Sequence, residues 1–298
     1  MRGAPLSEAL GVALVDFDIT KPCGLEEQAE LRRLFTKHHL LLIRGQTPTN
    51  DDHNRFVENF GLLSLPAGQD GDAGYISNKG NGLYGTGADA ELLWHADGAY
   101  GPQPGIATSL LAKEATPQSA PTMFANAVRA LDTLPRELRT RIEALSAVHV
   151  KENQVERTDQ PHRNLGVLGA AAAPGTIRSY EHPVIYQPPH LDEKVLYVNR
   201  LMTSHISGLS DADSQALLEE LFGYIYADDN IYTHHWQPND VIIWDNIALQ
   251  HRRPKATNSA PRHLRRLSLD GWNTGQGVME WLAAGSKRDN ARFSGQKL

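Results

Sequence analysis

Two stretches of this 298-residue chain hold residue types that could do chemistry together. The first is Leu93-Trp94-His95-Ala96-Asp97-Gly98. A histidine and an aspartate lie two residues apart, and on an extended strand residues i and i+2 project to the same side. Imidazole and carboxylate would then reach toward one point. Alone, the pair says little. With 13 His and 35 acidic residues among 298 positions, chance supplies about 1.5 matches to His-x-Asp/Glu, and the chain holds two. The other, His190-Leu191-Asp192, sits in Pro188-Pro189-His190-Leu191-Asp192-Glu193-Lys194. That is a turn-rich stretch between two strand-like runs, and it reads as a surface hairpin loop. His95 and Asp97 instead follow the apolar run Leu92-Leu93-Trp94, which puts a wall behind them.

The second stretch lies downstream. Trp244-Asp245-Asn246 closes an apolar strand, His251 follows, and then comes Pro261-Arg262-His263-Leu264-Arg265-Arg266. Two His and one carboxylate on one face of a metal, with positions left open, form the ligand set of non-haem Fe(II) oxygenases. The open positions serve to chelate a co-substrate and to bind dioxygen. An arginine suits the far carboxylate of that co-substrate, because its planar fork matches a carboxylate bidentately.

Several elements must position these residues. Leu25 to His38 has helical spacing of apolar residues and runs into the buried strand Leu40 to Ile43, closed by Gly45. Thr49 caps a helix through Phe60 that Gly61 ends, and residues 66–90 read as loop. Ile106 to Ala112 is strand-like, Asn126 caps a helix, and Pro135 opens another through Leu145. Residues 155–180 lack periodicity and are expected to form a lid. Short strands follow at Val184 to Gln187 and Val195 to Asn199. Leu209 to Ile225 is a helix capped by Ser210, and Ile231 to Trp236, Asp240 to Asp245 and His263 to Trp272 are strand-like. The expectation is a single domain over 1–298, mainly β with decorating helices, folded as a sandwich or jelly roll, with a flexible tail at 286–298. No Gly-x-x-x-x-Gly-Lys-Ser/Thr loop occurs, so a P-loop nucleotide-binding sheet is unsupported.

Bulk properties narrow the class. The formal net charge is −6, which argues against nucleic-acid binding. Cys23 is the single cysteine, so no intrachain disulfide or zinc-finger pattern exists, and a reducing cytoplasm fits. The N-terminus has no signal-peptide pattern, and no stretch approaches the ~18–20 apolar residues of a membrane span. A homo-oligomer is compatible with this composition.

The motifs together resemble the taurine dioxygenase/2,4-dichlorophenoxyacetate dioxygenase family of Fe(II)- and 2-oxoglutarate-dependent oxygenases. The resemblance runs from about Gly11 to Gly271. It rests on Val15-Asp16-Phe17-Asp18-Ile19-Thr20-Lys21-Pro22, Leu42-Ile43-Arg44-Gly45-Gln46, Trp94-His95-Ala96-Asp97, and Trp244-Asp245-Asn246 with His251. It implies a double-stranded β-helix and three cofactors or co-substrates: Fe(II), 2-oxoglutarate and O2. It implies that His95, Asp97 and His251 are the iron ligands and the catalytic centre. Arg262, eleven residues after His251, matches the arginine that pairs with the distal carboxylate of 2-oxoglutarate, and Thr122 matches its usual helper. Arg266 matches a position facing the substrate, which favours a small carboxylate, sulfonate or sulfate; Asp270 is the one internal competitor for it. The implied reaction releases succinate and CO2 and hydroxylates or oxidatively cleaves the substrate. Asp97 argues against halogenation, which needs that ligand position free.

Two departures stand out. The family commonly has Gly-Gly-Asp before the threonine, where this chain has Ser119-Ala120-Pro121. Taurine enzymes carry a His and a Tyr soon after the Phe-Gly that matches Phe60-Gly61; Leu62 to Gln69 supplies neither, so taurine is not the expected substrate. The remaining histidines read as ordinary: His38 and His39 at a helix end, and His149, His182, His234 and His235 on strands. Arg252 and Arg253 read as charges beside the site, and Arg265, of opposite parity to Arg262, points away from it. Two other classes fit the same residues: a cupin-like metal-binding protein or hydrolase without redox chemistry, and an inactive scaffold that keeps the fold.

Overall fold

The structure is a computed structural model that describes residues 1–61, 63, 74–78, 91–151, 155–156, 166–167, 179–256 and 260–269. In chain order the strands are β1 (Arg2–Pro5), β2 (Val12–Val15), β3 (Leu40–Ile43), β4 (Gly74–Ser77), β5 (Leu92–His95) and β6 (Ala107–Glu114). They continue with β7 (Thr122–Asn126), β8 (Ser146–Val150), β9 (Val155–Glu156), β10 (Gly166–Val167), β11 (Ser179–Pro183) and β12 (Ile185–Tyr186). The last are β13 (Val195–Leu196), β14 (Thr203–Ile206), β15 (Ile231–His234), β16 (Val241–Asp245), β17 (Leu249–Arg253) and β18 (His263–Leu269). The helices are α1 (Leu25–His38), α2 (Asn50–Glu58), α3 (Ala127–Thr133), α4 (Arg136–Ile142) and α5 (Asp211–Ile225).

Two sheets carry the architecture. The larger has seven strands in the order β1-β2-β3-β16-β6-β18-β4, and the smaller has four in the order β15-β7-β17-β5. Successive strand residues alternate between faces, and the larger sheet uses both. Leu41, Ile43, Leu111, Val241, Ile243 and Leu267 pack with Leu31, Leu34 and Phe35 of α1 and Phe56 and Val57 of α2. Leu40, Leu42, Leu110, Ile242, Trp244 and Leu264 pack instead against Phe124 of β7 and Leu249 of β17. Burial on both faces explains why β3 and β16 read as unbroken apolar runs. The outer face of the smaller sheet is closed by α3, α4 and α5, where Ala125 and Trp94 meet Leu131, Leu138, Leu217, Leu221 and Ile225. The result is a helix-covered, double-stranded β-helix, as expected.

Local chemistry sets the helix boundaries. Thr49 accepts from Asp52 N and Ser210 from Asp213 N, while Asn126 accepts from both Val128 N and Arg129 N. Helix α2 stops two residues before Phe60, and α4 stops three before Leu145. The Leu42–Gln46 motif is structural. Gln46 accepts from Ile19 N and donates to Phe17 O, tying down the 17–19 segment, and Arg44 forms a two-bond pair with the buried Asp240.

Two readings of the fold need correction. Residues 74–77 form β4, an edge strand on β18, inside the stretch read as loop. Strands β7, β14 and β17 are absent from the sequence reading because their polar residues hide the alternation. The expected lid at 155–180 falls largely outside the described residues, apart from the paired β9 and β10 and the start of β11. The tail at 286–298 and Asp270 also lie outside them. No helix among the described residues is long and apolar enough to cross a membrane.

Candidate metal centre

His95 ends β5, and in the β5–β17 ladder it stands directly opposite His251. Their rings lie 4.1 Å apart. His95 Nδ1 is 2.7 Å from Leu93 O. A carbonyl only accepts, so Nδ1 carries the proton and Nε2 keeps its lone pair for a metal. His251 is buried, and burial together with the neighbouring His95 holds it neutral, well below the usual histidine range. Neutral imidazole is the ligating form.

Asp97 reaches the same point by a different route from the one expected. It is not on the strand; β5 ends at His95 and Asp97 opens the following turn. Asn246 holds it there. Asn246 Oδ1 accepts from Asp97 N at 2.8 Å, and its Nδ2 donates to Asp97 O and Gly105 O at 2.9 Å each. Asp97 Oδ1 then lies 3.6 Å from His95 Nε2, and Oδ2 lies 3.9 Å from His251 Nε2. Burial would raise the carboxyl, but the positive charge of Arg266 and the two histidines hold it well below the ordinary carboxylate range. One donor atom from each of His95, Asp97 and His251 lies within 4.8 Å of the others, the one such cluster among the described residues. Two imidazoles and one carboxylate are the donor set that fits Fe(II).

A second feature lies alongside. Thr122 is on β7 two positions from Phe124, the residue paired with His251, so it stands on the order of 7 Å along the sheet from that histidine. That is the reach of a five-carbon dicarboxylic acid. Thr122 Oγ1 accepts from Trp236 Nε1 at 3.1 Å and from a terminal nitrogen of Arg262 at 3.2 Å. With both lone pairs engaged, the hydroxyl proton is left to donate to a third group. Arg262 is buried, its Nε has no hydrogen-bond partner, and no carboxylate pairs with it among the described residues. Burial, helped by Arg253, pulls its guanidinium down to about 9. A buried, uncompensated cation calls for an anion. Asn78 sets the backbone around it, accepting from Arg262 N and donating to Arg262 O and Ala260 O. Ser119 Oγ donates to Pro261 O at 2.6 Å. The Ser119-Ala120-Pro121 departure thus supports the arginine segment from the other side.

Arg266 lies on the metal side, and its terminal nitrogen donates to Asp97 Oδ2 at 2.7 Å. A carboxylate it meets is therefore Asp97, and the other candidate, Asp270, lies outside the described residues. Arg265 points the other way, as its parity requires, and contacts His53 Nδ1 and Asn54 Oδ1 beneath α2. The expectation for His190 fails. Its side chain is fully buried, with Nε2 2.7 Å from Asp245 Oδ2, not on a surface loop. Gln187 folds the segment inward by donating to Pro188 O and Leu191 O. Asn246 and Trp236 were also missed as site residues; the Trp244-Asp245-Asn246 motif was the one signal for the former. Of the segment that speaks against taurine, residues 62–69, only Leu63 is among the described residues.

Comparison with known proteins agrees with this geometry. The family model described as taurine catabolism dioxygenase TauD, TfdA family matches residues 2–268. The alpha-ketoglutarate-dependent 2,4-dichlorophenoxyacetate dioxygenase of Cupriavidus pinatubonensis is 27% identical over 291 residues, covering 88% of this chain and 95% of that protein. The alpha-ketoglutarate-dependent sulfate ester dioxygenase of Pseudomonas putida is 28% identical over 286 residues, covering 91% and 85%. The crystal structure of a taurine dioxygenase from Burkholderia xenovorans superposes with a TM-score of 0.72 at 26% identity, covering 90% of each chain. The chain belongs to the TauD, TfdA family and is an Fe(II)- and 2-oxoglutarate-dependent dioxygenase.

Proposed function

We propose that His95, Asp97 and His251 hold the Fe(II), that Arg262 and Thr122 receive the distal carboxylate of 2-oxoglutarate, and that Arg266 faces a small anionic substrate. That substrate carries a carboxylate, sulfonate or sulfate. The observation that carries the reading is the buried Arg262 guanidinium, which has no carboxylate partner among the described residues and touches a threonine whose proton is free to donate. Bound iron supplies the redox chemistry that couples oxidation of 2-oxoglutarate, to succinate and carbon dioxide, with oxidation of the substrate.

The chain's own residues prepare that chemistry. Leu93 O fixes the His95 tautomer, and Asn246 fixes the Asp97 backbone, so two of the three donors are set in advance. Arg262 and Thr122 together offer a carboxylate a charged fork and a hydroxyl donor beside the Trp236 ring. Arg266 shares Asp97 with the metal site and is partly exposed, with 17% side-chain accessibility. It therefore stands where the charge of an incoming anion is felt at the metal ligand. Relatives named for 2,4-dichlorophenoxyacetate and for sulfate esters support the anionic class. The same reading treats the chain as one oxygenase domain, acting in the cytoplasm.

The test is a panel of aryloxyacetates, alkyl sulfate esters and alkyl sulfonates, scored by Fe(II)-dependent succinate release. Arg266→Ala should abolish the stimulation by the best anion and leave the slow substrate-free decarboxylation nearly unchanged. Equal loss of both rates assigns Arg266 to 2-oxoglutarate or to Asp97 alone and removes the anionic-substrate argument.

A further inference from the structure

The geometry points to His190 as a positioning residue of the metal centre, acting through Asp245. This rests on the assignment of His95, Asp97 and His251 as the metal ligands. Asp245 ends β16 with its side chain fully buried. Its Oδ1 accepts from Ile247 N and Ala248 N at 2.9 Å each, which closes the turn into β17. Its Oδ2 is 2.7 Å from His190 Nε2. His190 is 1% exposed and belongs to the segment between β12 and β13, on neither of the strands that carry the ligands.

The turn that this pair closes serves the metal centre from both ends. Asn246, the next residue, makes the reciprocal hydrogen bonds that hold Asp97 in place. Asn246 N also donates to Ile106 O at 2.8 Å. Ala248 leads into β17, three residues before His251, and its carbonyl accepts from Ala127 N at 2.9 Å. One carboxylate thus sets the starting points of an Asp97 clamp and of the His251 strand. A carboxylate with four acceptor sites and two backbone donors on one oxygen needs a donor on the other to have one orientation. His190 is that donor. Without it, the buried Asp245 is left undercompensated and can turn, and the Asn246 side chain turns with it. Partners beyond the ligands themselves commonly change metal affinity by about 10–100-fold.

The test is Mn(II) binding to the metal-free chain, by electron paramagnetic resonance or calorimetry, well below the melting temperature. His190→Phe fills the imidazole volume but cannot donate to Asp245. It should weaken Mn(II) about 10-fold or more. His190→Gln restores an N–H donor and should return the affinity to within about threefold of the original. His235→Ala, at an exposed histidine, should change nothing. Combining His190→Phe with Asn246→Ala should weaken Mn(II) by less than the product of the two single effects, because both act on one turn. An Mn(II) affinity for His190→Phe within about twofold of the original overturns the proposal, whatever its melting temperature. So does full multiplicativity of the double variant. Asp97→Ala separates this failure from a wrong metal site: if Asp97→Ala also binds Mn(II) normally, the ligand assignment itself falls.

Discussion

Replacing Arg262 with Met tests whether this cation waits for an external anion or already has one. Burial lowers its guanidinium from the ordinary arginine range to about 9, so holding the charge in the folded, ligand-free chain costs on the order of 5 kcal/mol. Met fills similar space without the charge, and forfeits one hydrogen bond to Thr122 worth about 1 kcal/mol. The ligand-free variant is expected to be more stable by roughly 1–4 kcal/mol, the range seen when buried charges give way to apolar side chains. That is a rise of a few degrees in Tm for a chain this long. Binding should move the opposite way. Removing one partner of a desolvated ion pair costs about 2–5 kcal/mol, so KM for 2-oxoglutarate should rise at least roughly 30-fold. Arg262→Lys keeps the charge but not the planar fork and should recover only part of the affinity. The assays are thermal melting in the presence of a chelator and succinate formation against 2-oxoglutarate concentration. A Tm drop of several degrees in ligand-free Arg262→Met would refute the reasoning, because it would mean that the guanidinium is already compensated inside the protein. An unchanged KM would refute the co-substrate role outright.

Thr122→Val removes the hydroxyl at constant volume and should raise KM for 2-oxoglutarate about fivefold to tenfold, the value of one hydrogen bond of about 1 kcal/mol or slightly more; Thr122→Ser should stay near the original. His251→Ala should abolish both Fe(II)-dependent succinate release and Mn(II) binding while the ligand-free chain melts normally, since two donors do not hold a labile metal; normal Mn(II) affinity would remove His251 from the site. Buried His149, packed against His182 and Tyr197, is pushed down to about 3, so the unfolded chain takes up its proton near 6.5 while the folded chain resists. Stability therefore falls as pH drops below 6.5, by roughly 3 kcal/mol at pH 4 from this residue. His149→Phe should flatten that part of the slope in denaturant titrations at pH 7 and pH 4, and an unaltered slope counts against the burial argument.

Strong periodicity and single-residue signals carried most of the fold. Helix α1, with Leu31, Leu34 and Phe35 on its buried face, is found at the residues its spacing marks out, and the caps Thr49, Asn126 and Ser210 each take the backbone donors expected of them. Strands β3 and β16 read as apolar runs because both faces are covered. Strand β17 could not be read this way. Its sequence Leu-Gln-His-Arg-Arg looks solvated, yet four of the five residues are buried. Gln250 accepts from Tyr226 and donates to Val198 O, and His251 lies in a cluster with His95 and Asp97, so these buried polar residues meet partners remote in sequence. Only the assembled site reveals why these residues are inside.

The two His-x-Asp pairs show the same limit more sharply. Both have the same spacing, and neither works as that spacing suggests. In His95-Ala96-Asp97 the strand stops between the two polar residues, and it is Asn246, 149 positions away, that brings the carboxylate back. In His190-Leu191-Asp192 the partner is not Asp192 but Asp245, 55 positions away. The i, i+2 rule describes side-chain direction on a continuing strand; it says nothing about a residue in the turn that ends it. Turn composition argued that Pro188 to Lys194 is exposed, and for Asp192, Glu193 and Lys194 it is. His190 escapes the argument because a buried carboxylate elsewhere needs a donor more than water needs an imidazole. Charge compensation across the fold, not local composition, turns His190 inward to Asp245 while His95 and Asp97 converge with His251.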